Sequence, residues 1–193
     1  MGKNRLEAFS DGVLAIIITI MVLEMKPPHS ADFDGLRQMA PIFFSYVLSF
    51  LYIGIYWNNH HHLLHTVRHV NGAILWANLH LLFWLSLFPF VTAWMGEHHQ
   101  APFAAALYGF PLFMAGIAYW LLQKAIVKRH GPTSLLADAL GKDLKGNLSV
   151  LLYAIAIPAA FWQVWIAYTI YASVAVMWLI PDTRIEHALK EEK

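Results

Sequence analysis

The chain has 193 residues, 59% hydrophobic and 13% charged, with a formal net charge of +1 and no cysteine. A soluble domain carries about 25% charged residues, so this chain lacks the polar surface to cover a water-soluble fold, and its mean hydropathy of +0.51 points to the bilayer as solvent. The near-neutral charge points to no nucleic-acid partner, and the missing cysteine excludes disulfides, thiol catalysis and Cys-based metal sites.

At about 20 residues per span, the length holds six spans and little else. The first runs from about Leu6 to Met25 and stops at Pro27-Pro28, which cannot donate to a continuing helix. Its start is like that of a signal anchor, but no small-residue cleavage site follows, so it reads as a retained helix. Residues 28–37 read as a polar loop. The second span covers about Met39 to Leu64 and ends in a histidine-rich run, His60 to His65. The third follows Asn71-Gly72 and reaches about Trp94, with a kink expected at Pro89. After a short turn, the fourth runs from Pro102 to Val127 and breaks at His130-Gly131-Pro132. Residues 133–145 mix leucines with charges, which predicts a short helix on the membrane surface.

The fifth span, about Leu148 to Phe161, and the sixth, about Gln163 to Ile180, are parted only by the polar pause at Trp162-Gln163. One long helix there would reduce the count to five. The cations favour six: with the N-terminus inside, Lys3, Arg5, Arg68, Lys124, Lys128, Arg129, Lys142, Lys145, Arg184, Lys190 and Lys193 all fall inside, against Lys26 and Arg37 outside. The expectation is an all-α, polytopic membrane protein of the cell membrane. Residues 1–182 would form one six-helix domain and 183–193 a charged tail, with both termini cytoplasmic.

The first span carries the most information. On a wheel of about 100° per residue, Gly12, Ile16, Thr19, Ile20 and Leu23 share one stripe. Asp11 falls on the far side of it, and a carboxylate inside a span is costly unless paired or hydrated. Ile and Leu at such spacing usually mean core packing, so the stripe alone decides nothing.

The stretch Arg5, Phe9, Ser10, Asp11, continued through Glu24, resembles the first helix of the transmembrane protein 175 family. Trp57 and His60 resemble its Trp-x-x-His in the second helix, Trp76, Asn78 and Pro89 its third, and Pro181-Asp182 its end. The resemblance implies a potassium channel with no carbonyl-lined filter loop, a pore lined by the first helices, and a constriction of bulky aliphatic side chains. By position, Ile16 would be the principal ring, Ile20 and Leu23 further layers, and Thr19 a hydroxyl ring between them. Arg5, Phe9, Ser10, Asp11, Trp57, His60 and Asn78 would form the structural network, and of these Ser10, Asp11, Trp57, His60 and Asn78 match positions that join the helices through buried hydrogen bonds. A single repeat per chain implies a homotetramer in the bilayer, with potassium as permeant ion and no cofactor.

Eleven histidines are a second feature, and His61, His65 and His69 at i, i+4, i+8 would share a helical face. Imidazole is the commonest metal ligand, so the alternative function is a proton or divalent-metal transporter using this cluster. A histidine run at a membrane edge more often means interfacial polarity. No enzyme constellation stands out, and Ser45, Ser49, Ser86 and Thr92 read as interhelical hydrogen-bonding residues.

Overall fold

A computed structural model describes residues 2–28, 30–67, 69–131 and 143–179. These form eight helices: α1 (Lys3–Leu23), α2 (Phe33–Gln38), α3 (Ala40–His65), α4 (Gly72–Ser86), α5 (Phe88–Glu97), α6 (Pro102–His130), α7 (Leu144–Trp162) and α8 (Val164–Leu179). There is no strand among the described residues. The expected surface helix at 133–145 and the tail at 183–193 lie almost wholly outside them.

Local chemistry sets the ends. The Asn71 side chain accepts from the Ile74 N–H at 3.0 Å and starts α4, and Asp143 accepts from the Gly146 N–H at 3.1 Å and starts α7. Pro102 begins α6, where a missing N–H is harmless, and Gly131 ends it at φ 96°. The segment read as a polar loop contains α2. Its cap is Asp32, whose carboxylate accepts from the Gly35 N–H and from Ser30 Oγ, both at 2.8 Å. Those two donors hold the Asp32 pKa below its usual value.

The third span is broken at Leu87, between α4 and α5, rather than at Pro89 itself. Proline lacks the N–H that would bond back one turn and crowds the preceding turn, so the helix is interrupted upstream of the ring. Together α4 and α5 make one membrane-length unit of 26 residues.

Five units are long and apolar enough to cross a membrane: α1, α3, α4 with α5, α6 and α7. The last helix, α8, is apolar but has only 16 residues. The single long helix considered for the C-terminal part is not found. Gln163 adopts extended backbone (φ −152°, ψ 115°) between α7 and α8. The two helices then double back on each other, with the Tyr153 and Tyr171 rings 6.4 Å apart and Trp178 Nε1 donating to Ser149 Oγ at 2.8 Å.

The bundle is asymmetric. Helices α6, α7 and α8 pack mutually, and α6 also packs on α4 and α5. Helix α1 lies at the edge and touches α3, α4 and α5 on one side only.

Candidate functional site

Helix α1 has two faces. Leu6, Ser10, Leu14, Ile17 and Met21 are buried against the bundle. Gly12, Ile16, Thr19, Ile20 and Leu23 point the other way and are exposed, Ile16 to 57%, Ile20 to 39% and Leu23 to 76%. In a bilayer such an aliphatic face meets either lipid or a neighbouring subunit. Thr19 Oγ1 donates to the Ile16 carbonyl at 2.8 Å, so its proton is engaged and its lone pairs are left on the open side.

Beneath the buried face runs a polar chain through three helices. Asn78 Nδ2 on α4 donates to Ser10 Oγ on α1 at 2.9 Å, and Asn78 Oδ1 meets His60 Nε2 on α3 at 2.6 Å. Ser10 Oγ in turn donates to the Leu6 carbonyl at 2.8 Å. All three side chains are at most 2% exposed. With the amide satisfied at both ends, this chain ties α1 to α3 and α4 at one register.

The other motif residues sit differently. Asp11 and Trp57 are joined, Trp57 Nε1 donating to Asp11 Oδ1 at 3.0 Å, but this contact between α1 and α3 lies on the protomer surface rather than inside it. Arg5 and Phe9 are exposed, and Arg5 makes no side-chain hydrogen bond or ion pair among the described residues. The rotation of a single residue explains the difference. Asp11 follows Ser10 by about 100°, which carries it off the buried face to its flank.

Of the four hydroxyl residues expected between helices, Ser49 and Thr92 do meet across α3 and α5, at 2.7 Å. Ser45 and Ser86 instead donate to carbonyls of their own helices, at Pro41 and Phe83. Sequence reasoning missed the tyrosines that extend this core. Tyr108 hydroxyl lies 3.0 Å from Ser49 Oγ, and Tyr52 donates to the Tyr171 carbonyl at 2.6 Å. Tyrosines at mid-span, away from the interfacial positions typical of aromatic belts, were the available signal.

The histidine run does not form one face. Helix α3 stops at His65, so of the three only His61 and His65 meet, edge to face with their rings 4.5 Å apart. His69 lies beyond the helix, and its N–H donates to His130 Nε2 at 3.3 Å. Among the described residues, no three histidine or acidic side chains come together in a way that could hold a metal ion.

Comparison with known proteins points one way. The family model for the endosomal/lysosomal potassium channel TMEM175 matches residues 5–89. A potassium channel of Chryseobacterium sp. is 53% identical over 191 residues, covering 99% of this chain and all of the relative. The crystal structure of a lysosomal potassium-selective channel TMEM175 homologue from Chamaesiphon minutus superimposes with a TM-score of 0.82 at 30% identity, over 93% of this chain and 97% of that one. The human relative, called an endosomal/lysosomal proton channel, is 35% identical over 86 residues, which is 38% of this chain and 17% of that protein. These are ion channels, not enzymes. The all-helical bundle, the Ser10–Asn78–His60 chain under α1 and the full-length bacterial relatives agree, and the chain belongs to the TMEM175 family.

Proposed function

We propose that the chain is a homotetrameric, potassium-permeable channel of the cell membrane whose pore is lined by α1. The observation that carries this reading is the uncovered stripe of Ile16, Thr19, Ile20 and Leu23 on a helix whose opposite face is fixed in the bundle. One protomer offers one such helix, and cyclic symmetry is the usual way to close several around an axis. Ile16 then forms the narrowest ring, with Ile20 and Leu23 as further apolar layers. Such rings gate by excluding water, so an ion passes when the ring widens or hydration is replaced. Thr19 supplies replacement oxygens, because its proton is already directed at the Ile16 carbonyl.

Six membrane crossings with both ends in the cytoplasm fit the same reading. The α7–α8 hairpin returns the chain to the side from which α7 starts. Lys3 Nζ reaches the His65 carbonyl at 3.2 Å and His69 meets His130, so the N-terminal end of α1 and the C-terminal ends of α3 and α6 lie together. Lys3, Lys124, Lys128 and Arg129 share that end, while Lys26 and Arg37 are at the other. Positive charge gathers on cytoplasmic edges.

The test is the reversal potential of the reconstituted protein under opposed potassium and sodium gradients. Ile16→Asn is expected to raise conductance and admit sodium more freely. Thr19→Val is expected to lower the potassium preference several-fold, in line with about 1 kcal/mol per lost polar contact. If Ile16→Asn changes neither conductance nor reversal potential, Ile16 lines no constriction. The proton reading is prompted by the human relative's name. The same recordings under a pH gradient alone distinguish it, since a proton pathway would move the reversal potential with pH.

A further inference from the structure

A cavity of about 310 Å³ lies on the far side of the bundle from α1, between α3, α6, α7 and α8. It extends from Tyr52 to Asn59 along α3 and from Tyr153 to Asp143 along α7. At 1.5 Å per residue these are depths of about 10 Å and about 15 Å. The space is therefore a slot along the helix axes rather than a sphere. Its walls are aromatic: Tyr52, Tyr56, Tyr119, Trp120, Tyr153 and Trp178.

Several polar groups in those walls are engaged with the protein. Tyr52 donates to the Tyr171 carbonyl, Tyr119 to the Asn59 carbonyl, Asn59 Nδ2 to the Ile55 carbonyl, and Trp178 to Ser149. An alkyl chain gains apolar contact with these aromatic walls along its length.

The mouth has the opposite character. Lys124 Nζ sits 5.5 Å from the Trp120 ring and Lys145 Nζ 5.9 Å from the Trp178 ring, each lysine set on an aromatic that lines the slot. Asp143, the cap of α7, also lines the slot at this end, and its Oδ1 accepts from the Gly146 N–H. Lys124 and Lys145 are the two cations set on the slot's aromatics; Lys128 and Arg129 line a separate pocket with Asn71 and Ala73. Gln123, beside Lys124, places an amide where hydrocarbon would give way to ester groups.

We propose that this slot is a lipid site, one per protomer, that takes an acyl chain of an anionic glycerophospholipid from the adjoining leaflet while Lys124 and Lys145 hold its phosphate. Basic pockets between membrane helices at a positively charged edge bind such headgroups, and each lysine contributes about fivefold in affinity there. The slot admits one chain, and the second chain stays in the bilayer against the exposed side chains Leu148 and Leu151 of α7.

Native mass spectrometry of the full-length protein, titrated with phosphatidylglycerol or with phosphatidylcholine of the same chains, tests this. Phosphatidylglycerol is expected to remain bound in preference to phosphatidylcholine. The double variant Lys124→Gln, Lys145→Gln should weaken phosphatidylglycerol by about 30-fold and leave phosphatidylcholine unchanged. Ile117→Trp, which fills the slot from α6, should abolish retention of both. Equal retention of the two lipids, or phosphatidylglycerol binding untouched by the double lysine variant, overturns the proposal. So does undiminished binding to a folded Ile117→Trp protein. Should that variant fail to fold, the lysine variant, changed only at the rim, decides alone. Palmitate competing as well as phosphatidylglycerol would also overturn it, because a free fatty acid needs no glycerophosphate contact.

Discussion

Ile16 and Ile17 are neighbours of the same residue type on the same helix, yet Ile16 is 57% exposed and Ile17 3%. Their difference comes from rotation alone. Ile17 lies in line with Ser10, Leu14 and Met21, where the Asn78 amide and the packing of α3 to α5 fix the helix. Ile16 lies in line with Gly12 and Leu23, where the protomer offers nothing. In a soluble helix the apolar face marks the core and the polar face marks water. Here both faces are apolar, and it is the buried polar chain that tells the inner face from the outer one. In lipid the hydrophobic effect does not separate two apolar faces, so packing and hydrogen bonds orient the helix.

The comparison breaks first at Ile17. Ile17→Asn places an unpartnered amide in the packed face and removes buried aliphatic volume, for a loss of about 3–5 kcal/mol. It is expected to abolish the assembled protein in size-exclusion chromatography, while Ile16→Asn assembles normally with stability within about 0.5 kcal/mol of wild type. Equal damage from both would mean that Ile16 is also a packing residue and that the outer face is not open.

Asn78→Ala comes next. It strands His60 Nε2 at about 1–3 kcal/mol in a buried site and removes the bond Ser10 Oγ accepts, though Ser10 still donates to the Leu6 carbonyl. Thermal unfolding in detergent should shift clearly downward. Asp11→Ala should shift it less, by about 1 kcal/mol, because its partner Trp57 is 47% exposed and remains free to bond elsewhere. An Asp11→Ala protein as unstable as Asn78→Ala would show that the Asp11 flank is covered by a neighbouring subunit.

Much of this arrangement could be read from the chain. Pro27-Pro28, Asn71-Gly72, Pro102 and Gly131 mark helix ends because each acts on the backbone locally, and Gln163 marks the hairpin as the polar pause it is. The match to Ser10, His60 and Asn78 brought together three residues that the fold does join. What stayed hidden depends on tertiary context. The Asp32 cap of α2 competes with a segment too short for periodicity. Whether Asp11 lies inside or on the flank turns on about 100° of helix rotation, within the error of any wheel drawn without knowing the inner face. The histidine face failed because α3 ends at His65, close to the expected end of the second span, which leaves His69 outside the helix.

The smallest effect is expected from the histidines, and it sharpens the contrast from outside α1. His61 and His65 are exposed and meet edge to face, and His61 stacks on Trp57 at 6.1 Å. They lie on α3 near its end, away from the Ile16 stripe, and His69 leaves the helix altogether. Exposed side chains of this kind change stability by about 0.5 kcal/mol or less on conservative replacement. Replacing His61, His65 and His69 together with Gln keeps polarity and approximate size while removing titration and strong metal ligation. Potassium flux into liposomes should therefore be unchanged, and added zinc should affect variant and wild type alike. A transporter that moved protons or a divalent metal through this cluster would instead lose its flux, and with wild-type assembly retained that loss would turn the functional reading from the open face of α1 to the end of α3.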